Sequence, residues 1–193
     1  MKNDHKIILQ AKDVVSKIKA YREQEKEIVL TQGSFDMVHI GHARYCKQAK
    51  EFGDVLIVGV DSDEKVRKRK GEDRPIVPQT ERMEMLTYLG SVDLVVLKEL
   101  NEPKFNLVKL IRPDVLVATE ETYTTPQQIR DVKQYCKQLV ILKPQATTST
   151  SAQLRRVQLG LVKTFAETVS MRVLDVLEEA IEELKRGKKD AKT

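Results

Sequence analysis

Two of the three histidines in this 193-residue chain stand three residues apart, His39 and His42, with Gly41 between them. They close the segment Gly33-Ser34-Phe35-Asp36-Met37-Val38-His39-Ile40-Gly41-His42, which follows the apolar run Glu27–Thr31. An apolar run that ends in a glycine and two imidazoles reads as a strand, a loop and a helix start. A helix start offers free N–H groups and the positive end of a dipole to an anion. Two imidazoles beside it can hold phosphates and stabilise charge growing on a phosphorus centre. Gly33 lets the backbone approach a ligand closely. Gly33, Ser34, Phe35, Asp36 and Gly41 are therefore candidate nucleotide contacts, and His39 and His42 candidate catalytic groups. Asp36 has two readings, a loop-orienting residue or a group near a metal.

Two further segments carry charge or hydroxyls. Asp61-Ser62-Asp63-Glu64 follows a second apolar run, and then come Lys65, Arg67, Lys68, Arg69 and Lys70. Lys70 stands before a glycine, where it can reach over a triphosphate as a mobile cation. Arg82, at the start of a helical segment, can hold a phosphate with its planar fork. Lys65, Arg67 and Lys68 read more simply as a solvated helix face. Thr147-Thr148-Ser149-Thr150-Ser151 precedes Leu154-Arg155-Arg156-Val157. Such a cluster caps a helix and, by the same N–H groups, binds anions. Ser149, Thr150 and Ser151 are candidate phosphate anchors.

The elements that must position these residues alternate. Strands are expected at Glu27–Thr31, Val55–Val60, Val92–Leu97, Asp114–Ala118 and Leu139–Leu142. These runs are short, continuous and apolar, as in strands covered on both faces. Helices are expected at about 42–52, 80–89, 103–111, 126–137 and 150–159. Ala11–Arg22 adds another, with Val14, Val15 and Ile18 at helical spacing. Such alternation gives an α/β fold, a Rossmann-like parallel sheet with helices on both faces, whose ligands bind at the carboxyl ends of the strands. A long C-terminal helix is expected over Leu161–Arg186. Val162, Ala166, Val169, Val173, Val176 and Ala180 form its stripe, widened by Leu174, Leu177, Ile181 and Leu184. The expected division is a catalytic domain over 1–158 and a helix with a basic tail over 159–193. The wide stripe suggests a homodimer through this helix.

Composition excludes other classes. The net charge is +5, but Lys185, Arg186, Lys188, Lys189 and Lys192 against Asp190 place +4 of it in the last nine residues. The remaining +1 provides no general nucleic-acid surface. No run approaches the roughly 18 apolar residues of a membrane span, and no signal peptide is visible at Met1–Lys6. Cys46 and Cys136 match no metal-ligand spacing and read as reduced thiols of a cytoplasmic protein.

The His39-Ile40-Gly41-His42 string resembles the HxGH signature of the nucleotidyltransferase superfamily, which includes cytidylyltransferases and several adenylyltransferases. It is also similar to the motif of class I aminoacyl-tRNA synthetases, whose second, lysine-rich loop is not found here. Lys70-Gly71-Glu72-Asp73-Arg74-Pro75 with Glu81-Arg82-Met83 most resembles the heptose-1-phosphate adenylyltransferase domain of ADP-heptose synthases. Thr147–Ser151 resembles the superfamily's STT motif. The resemblance covers about residues 11–157. It implies AMP transfer from ATP, with Mg²⁺, to a phosphorylated sugar such as a heptose 1-phosphate, with release of pyrophosphate. ATP is expected over CTP. The alternatives are a cytidylyltransferase for an alcohol phosphate such as glycerol 3-phosphate, and an inactive nucleotide-binding regulator. Two departures stand out. Gln32 replaces the asparagine of Thr-Asn-Gly, and Ala118-Thr119-Glu120-Glu121-Thr122-Tyr123 stands where heptose enzymes carry Lys-Gly-Gly-Asp-Tyr.

Overall fold

The computed structural model describes residues 4–120, 122–123 and 125–146, and residues 157, 159–162, 164–166, 168–174 and 176 of the C-terminal part. The chain divides into two compact units, Met1–Thr147 and Thr148–Thr193.

The first unit is built on a parallel sheet. Its strands are β1 (Ile7–Ile8), β2 (Ile28–Gly33), β3 (Val55–Asp61), β4 (Leu94–Lys98), β5 (Val115–Thr119) and β6 (Gln138–Leu142). Their spatial order is β1-β4-β3-β2-β5-β6, and every pairing is parallel. The five expected strands are all present. The extra β1 pairs Ile7 with Val95 and Ile8 with Val96. Two residues are too few to show a periodicity, which is why the sequence does not announce it.

Alternate residues of each strand feed two cores. Val29 faces α2 (Ile40–Lys50) and α4 (Gln79–Thr87) together with Leu56, Val58, Val95 and Val117. Ile28 and Leu30 face the opposite side with Ile57, Val96 and Leu116. That side is covered by α1 (Val14–Glu23), α5 (Asn106–Ile111) and α6 (Pro126–Lys133). Strands buried on both faces need continuous apolar runs, and the seven residues of β3 are all buried. In α1, Val14 and Ile18 are buried as expected, whereas Val15 is exposed. The basic run forms a helix of its own, α3 (Asp63–Lys70), capped by Ser62 Oγ, which accepts from Lys65 N–H at 3.3 Å.

From β2 the chain winds outward through β3 to β4, then crosses back to lay β5 on the other side of β2. The carboxyl ends of β2 and β5 are therefore the topological switch point, where such sheets open a crevice. The glycine–histidine loop leaves β2 at that point. In the second unit, every described residue from 157 to 176 is helical, as expected for the start of the C-terminal helix. Its expected continuation to Arg186 lies outside the described residues.

Candidate active site

The loop from Gly33 to His39 is held in a strained form. Phe35 and Met37 have φ of 50° and 52°, left-handed values that cost energy for residues with a side chain. A side chain on Gly33 would meet the Phe35 ring at 3.1 Å. Asp36, between the two strained residues, is 3% exposed. Its Oδ1 accepts from Ile76 N–H at 3.0 Å and Val77 N–H at 3.1 Å, and its Oδ2 lies 2.5 Å from an Arg74 terminal nitrogen. Those bonds hold the Asp36 carboxyl below the usual carboxylate range, despite burial acting the other way. Of its two sequence readings, the loop-orienting one matches this geometry.

The histidines cap α2 reciprocally. His39 Nδ1 accepts from Gly41 N–H at 3.1 Å, and His42 Nδ1 accepts from His39 N–H at 3.2 Å. A ring nitrogen that accepts a backbone N–H carries no proton, so each neutral ring keeps its proton on Nε2. The rings lie 4.1 Å apart, and Phe35 packs 5.5 Å from His42. Burial pushes the His42 pKa down to about 4, helped by His39 and Lys70 and opposed by Asp36. A Cβ on Gly41 would lie 2.8 Å from His39 Cε1 and 2.8 Å from Ala146 Cβ. Only glycine fits between the His39 ring and Ala146 in this arrangement.

One turn beyond His42, the Tyr45 hydroxyl shares a 2.6 Å hydrogen bond with Thr31 of β2 and donates to Val117 O of β5 at 3.1 Å. It ties α2 to both strands of the switch point. The sequence offers only an apolar-face residue here, so this tie is invisible without the fold.

Cations gather around the loop. Lys70 feels Arg69, Arg74, Asp36 and Asp61, and burial followed by the two arginines lowers its pKa. Arg69 donates to Ser34 Oγ at 2.5 Å and lies 2.9 Å from Asp61 Oδ2. Lys98, the last residue of β4, lies 3.0 Å from Asp61 Oδ1. Arg69, Arg74, Asp61 and Lys98 are absent from the sequence-derived set. Arg74 stands inside the quoted Lys70–Pro75 stretch, and Asp61 and Lys98 end strands, so the rule that ligands sit at carboxyl ends could have found them.

Arg82 is buried. Its expected phosphate contact needs an accessible guanidinium, but the residue is 1% exposed. It donates to Val77 O, Ser34 O, Asp61 O and Asp63 Oδ1. Those acceptors come from the catalytic loop, the end of β3, the start of α3 and the turn before α4. Arg82 is a buried brace, its guanidinium engaged by four acceptors. Ser149, Thr150 and Ser151 lie outside the described residues. In the departing segment after β5, Thr122 Oγ1 accepts from Thr119 N–H at 3.2 Å, and Tyr123 stacks edge-on to Phe105 at 6.2 Å. A concavity of about 440 Å³, lined by Arg22, Arg112 and Lys137 among others, lies at the opposite, amino-terminal end of the sheet. None of the candidate site residues lines it.

A family model described as cytidylyltransferase-like matches residues 30–186. The chain belongs to the cytidylyltransferase-like family. It is a nucleotidyltransferase domain of that family, and the matched span includes the histidine loop, the cation cluster and Arg82. Curated relatives share the name bifunctional protein HldE. The protein from Nitratiruptor sp. is 50% identical over 99 residues, which is 51% of this chain and 21% of the relative. That from Campylobacter curvus is 47% identical over 114 residues, 59% of this chain and 24% of the relative. The chain thus spans about a quarter or less of the length of these two relatives. Among solved structures, a lipopolysaccharide core biosynthesis protein from Thermoplasma volcanium aligns with a TM-score of 0.51 at 24% identity, over 62% of this chain and 96% of that one. A pantoate-beta-alanine ligase from Francisella tularensis aligns with a TM-score of 0.55 at 16% identity, over 75% of this chain and 68% of that one. These two likenesses bear on the fold alone, a cytidylyltransferase-like α/β sheet.

Proposed function

We propose that this domain joins a nucleoside monophosphate from an NTP to a small phosphorylated sugar. An oxygen of the acceptor's phosphate attacks the α-phosphorus in line. The bond from that phosphorus to the bridging oxygen breaks, and pyrophosphate leaves with the electron pair. An ionised phosphate is already a nucleophile, so no general base is required. Catalysis is positioning plus electrostatic stabilisation. The observation that carries this reading is the reciprocal histidine cap, which commits both Nδ1 atoms and leaves two Nε2–H donors at a helix start on the switch point. Lys70 adds mobile positive charge, and Gly33, Ser34 and Gly41 supply close backbone. Asp36, Arg74 and Arg82 act as positioning residues that hold loop and cations together.

Magnesium fits this domain as part of the nucleotide and does not fit as a protein-held ion. Asp36 is engaged by Arg74 and two N–H groups, Asp61 by Lys98 and Arg69, and Asp63 by Arg82. Among the described residues no group of three potential ligands could hold a metal. Mg²⁺ would arrive on the triphosphate, as substrate.

The finer assignment is AMP transfer from ATP to a heptose 1-phosphate. Its support is the Lys70–Pro75 stretch, its resemblance to heptose-1-phosphate adenylyltransferases, and the relatives named bifunctional protein HldE. A cytidylyltransferase for an alcohol phosphate is the second reading, favoured by the replaced Lys-Gly-Gly-Asp-Tyr segment. A cytoplasmic protein free of nucleic-acid and membrane partners is part of the same proposal; among the described residues no helix is long and apolar enough to cross a membrane. Pyrophosphate release, measured with ATP, CTP, heptose 1-phosphate and glycerol 3-phosphate in all pairings, tests this. Turnover only with CTP and glycerol 3-phosphate would reverse the assignment. No turnover with any pair would favour the regulatory homologue.

A further inference from the structure

The cations at the carboxyl edge of the sheet fall into two groups. One lies at the β2 loop: Lys70 and Arg74, beside the neutral His42 ring, with Asp36 among them. The other lies at the ends of β3 and β4: Lys98, Arg69 and Lys65, around Asp61. Neighbouring strands are about 4.8 Å apart, so the β4 end stands roughly 10 Å from β2. A triphosphate on the histidine loop leaves that second group with its own unmet charge. Asp61 is fully buried and can balance one cation, while Lys98 and Arg69 both pair with it and Lys65 feels its charge. Lys65 donates to Glu99 O at 3.1 Å and also feels Glu102, the one other carboxylate among its influences. The three cations outnumber Asp61 and Glu102 by one. The crowding is physical: burial and then Lys98 push the Lys65 ammonium down, with Arg69 adding to it. An anion placed among them relieves that repulsion. Arg69 also reaches Ser34 Oγ at 2.5 Å, so the group is linked directly to the catalytic loop.

We propose that Lys98, Arg69 and Lys65 form the subsite for the acceptor's phosphate, beside the nucleotide and one to two strands from the histidines. This rests on the nucleotidyl-transfer reading above. Arg69 spans the gap between subsite and loop, which suits a phosphate that must bring an oxygen to about 3–3.5 Å from the α-phosphorus. Lys98 is the discriminating member, because its side chain is only 16% exposed and it ends a strand. The sequence run that reads as a solvated helix face, Lys65 included, thereby gains a ligand.

The test is Lys98→Gln in the full chain, with Lys98→Arg as the conservative variant. Steady-state rates are measured against ATP and heptose 1-phosphate, with inorganic phosphate as competing anion. The subsite predicts at least a tenfold rise in KM for the sugar phosphate, an equal weakening of phosphate inhibition, and KM for ATP within twofold. Lys98→Arg should restore most of the loss. A rise confined to KM for ATP would assign the cluster to the triphosphate and overturn the proposal. Unchanged constants would make Lys98 only the partner of Asp61, and also overturn it. If the chain turns over no acceptor, the parent reading fails separately. Calorimetric binding of inorganic phosphate, with a non-hydrolysable ATP analogue saturating, then decides the subsite. Tenfold weaker binding in Lys98→Gln supports it, and equal binding refutes it.

Discussion

His42 is the ring on which the proposed chemistry turns. Its Nδ1 is committed to the His39 N–H, so any help to a phosphate comes from Nε2–H. With its pKa down at about 4, the ring is neutral across the ordinary working range. His42→Ala removes one preorganised donor and should lower kcat by about 10²-fold or more. His42→Ala also opens one end of the cap, so circular dichroism on the same sample must show an intact fold. Near-normal turnover would sink the mechanism. The pH dependence has a definite sign. The folded pKa is depressed below the unfolded value of about 6.5, so the unfolded chain takes up the proton first as pH falls. The stability linked to His42 is complete above about pH 6.5 and is lost as pH falls toward about 4. Urea midpoints across that interval should decline for the native chain and flatten in a His42→Phe variant. A decline of the same size in both would assign the effect elsewhere.

At the scale of elements, the geometry of the histidine loop depends on a strap running from the end of α3 to the start of α4. Arg69 holds Ser34, Arg74 and the N–H groups of Ile76 and Val77 hold Asp36, and Arg82 holds the Ser34 carbonyl. Arg82→Ala leaves buried acceptors on three segments and Asp63 without its partner. Losing one member of a buried ion pair costs about 3–5 kcal/mol. Guanidinium unfolding should show a loss of that order, with activity falling along with the folded fraction. A stable Arg82→Ala protein with raised KM for ATP alone would restore the phosphate-ligand role. The contrast with Lys70 follows: Lys70→Ala should keep its melting temperature within a few degrees while kcat/KM for ATP falls at least tenfold. Equal small effects from Lys70→Ala and from Arg67→Ala would make the whole run a solvated face. Sequence patterning reads this level unevenly. Continuous apolar runs expose β2 to β5 because both of their faces are covered, β6 shows as an apolar run although it is a half-exposed edge strand, and two histidines around a glycine mark the loop. The bracing contacts of Arg82 and Tyr45 are not legible in the sequence because their partners lie 48 and 72 residues away in the chain. Local pattern does not encode which distant carbonyl a donor meets.

At the scale of the whole molecule, the C-terminal helix carries an exposed apolar face. The residues treated above as catalytic or bracing all lie before Thr147, within the first unit. In the second unit, Leu161, Val162, Phe165, Val169, Val173, Leu174 and Val176 are exposed. Each such side chain gains roughly 1.5–3 kcal/mol on full burial, and a contiguous apolar face of this kind marks an interaction surface. Closed two-fold dimers are the commonest way for a chain to cover such a face with itself. The expectation is a homodimer in which Leu161–Arg186 contributes to the interface. Light scattering should give the mass of two chains at tens of micromolar for the full protein, and of one chain for a protein ending at Gly160. Substituting glutamate at Phe165 and Val169 together should also shift the full protein toward monomer, since two carboxylates would be buried without partners. A monomeric full-length protein refutes the dimer. A dimer that survives both changes places its interface on the first unit.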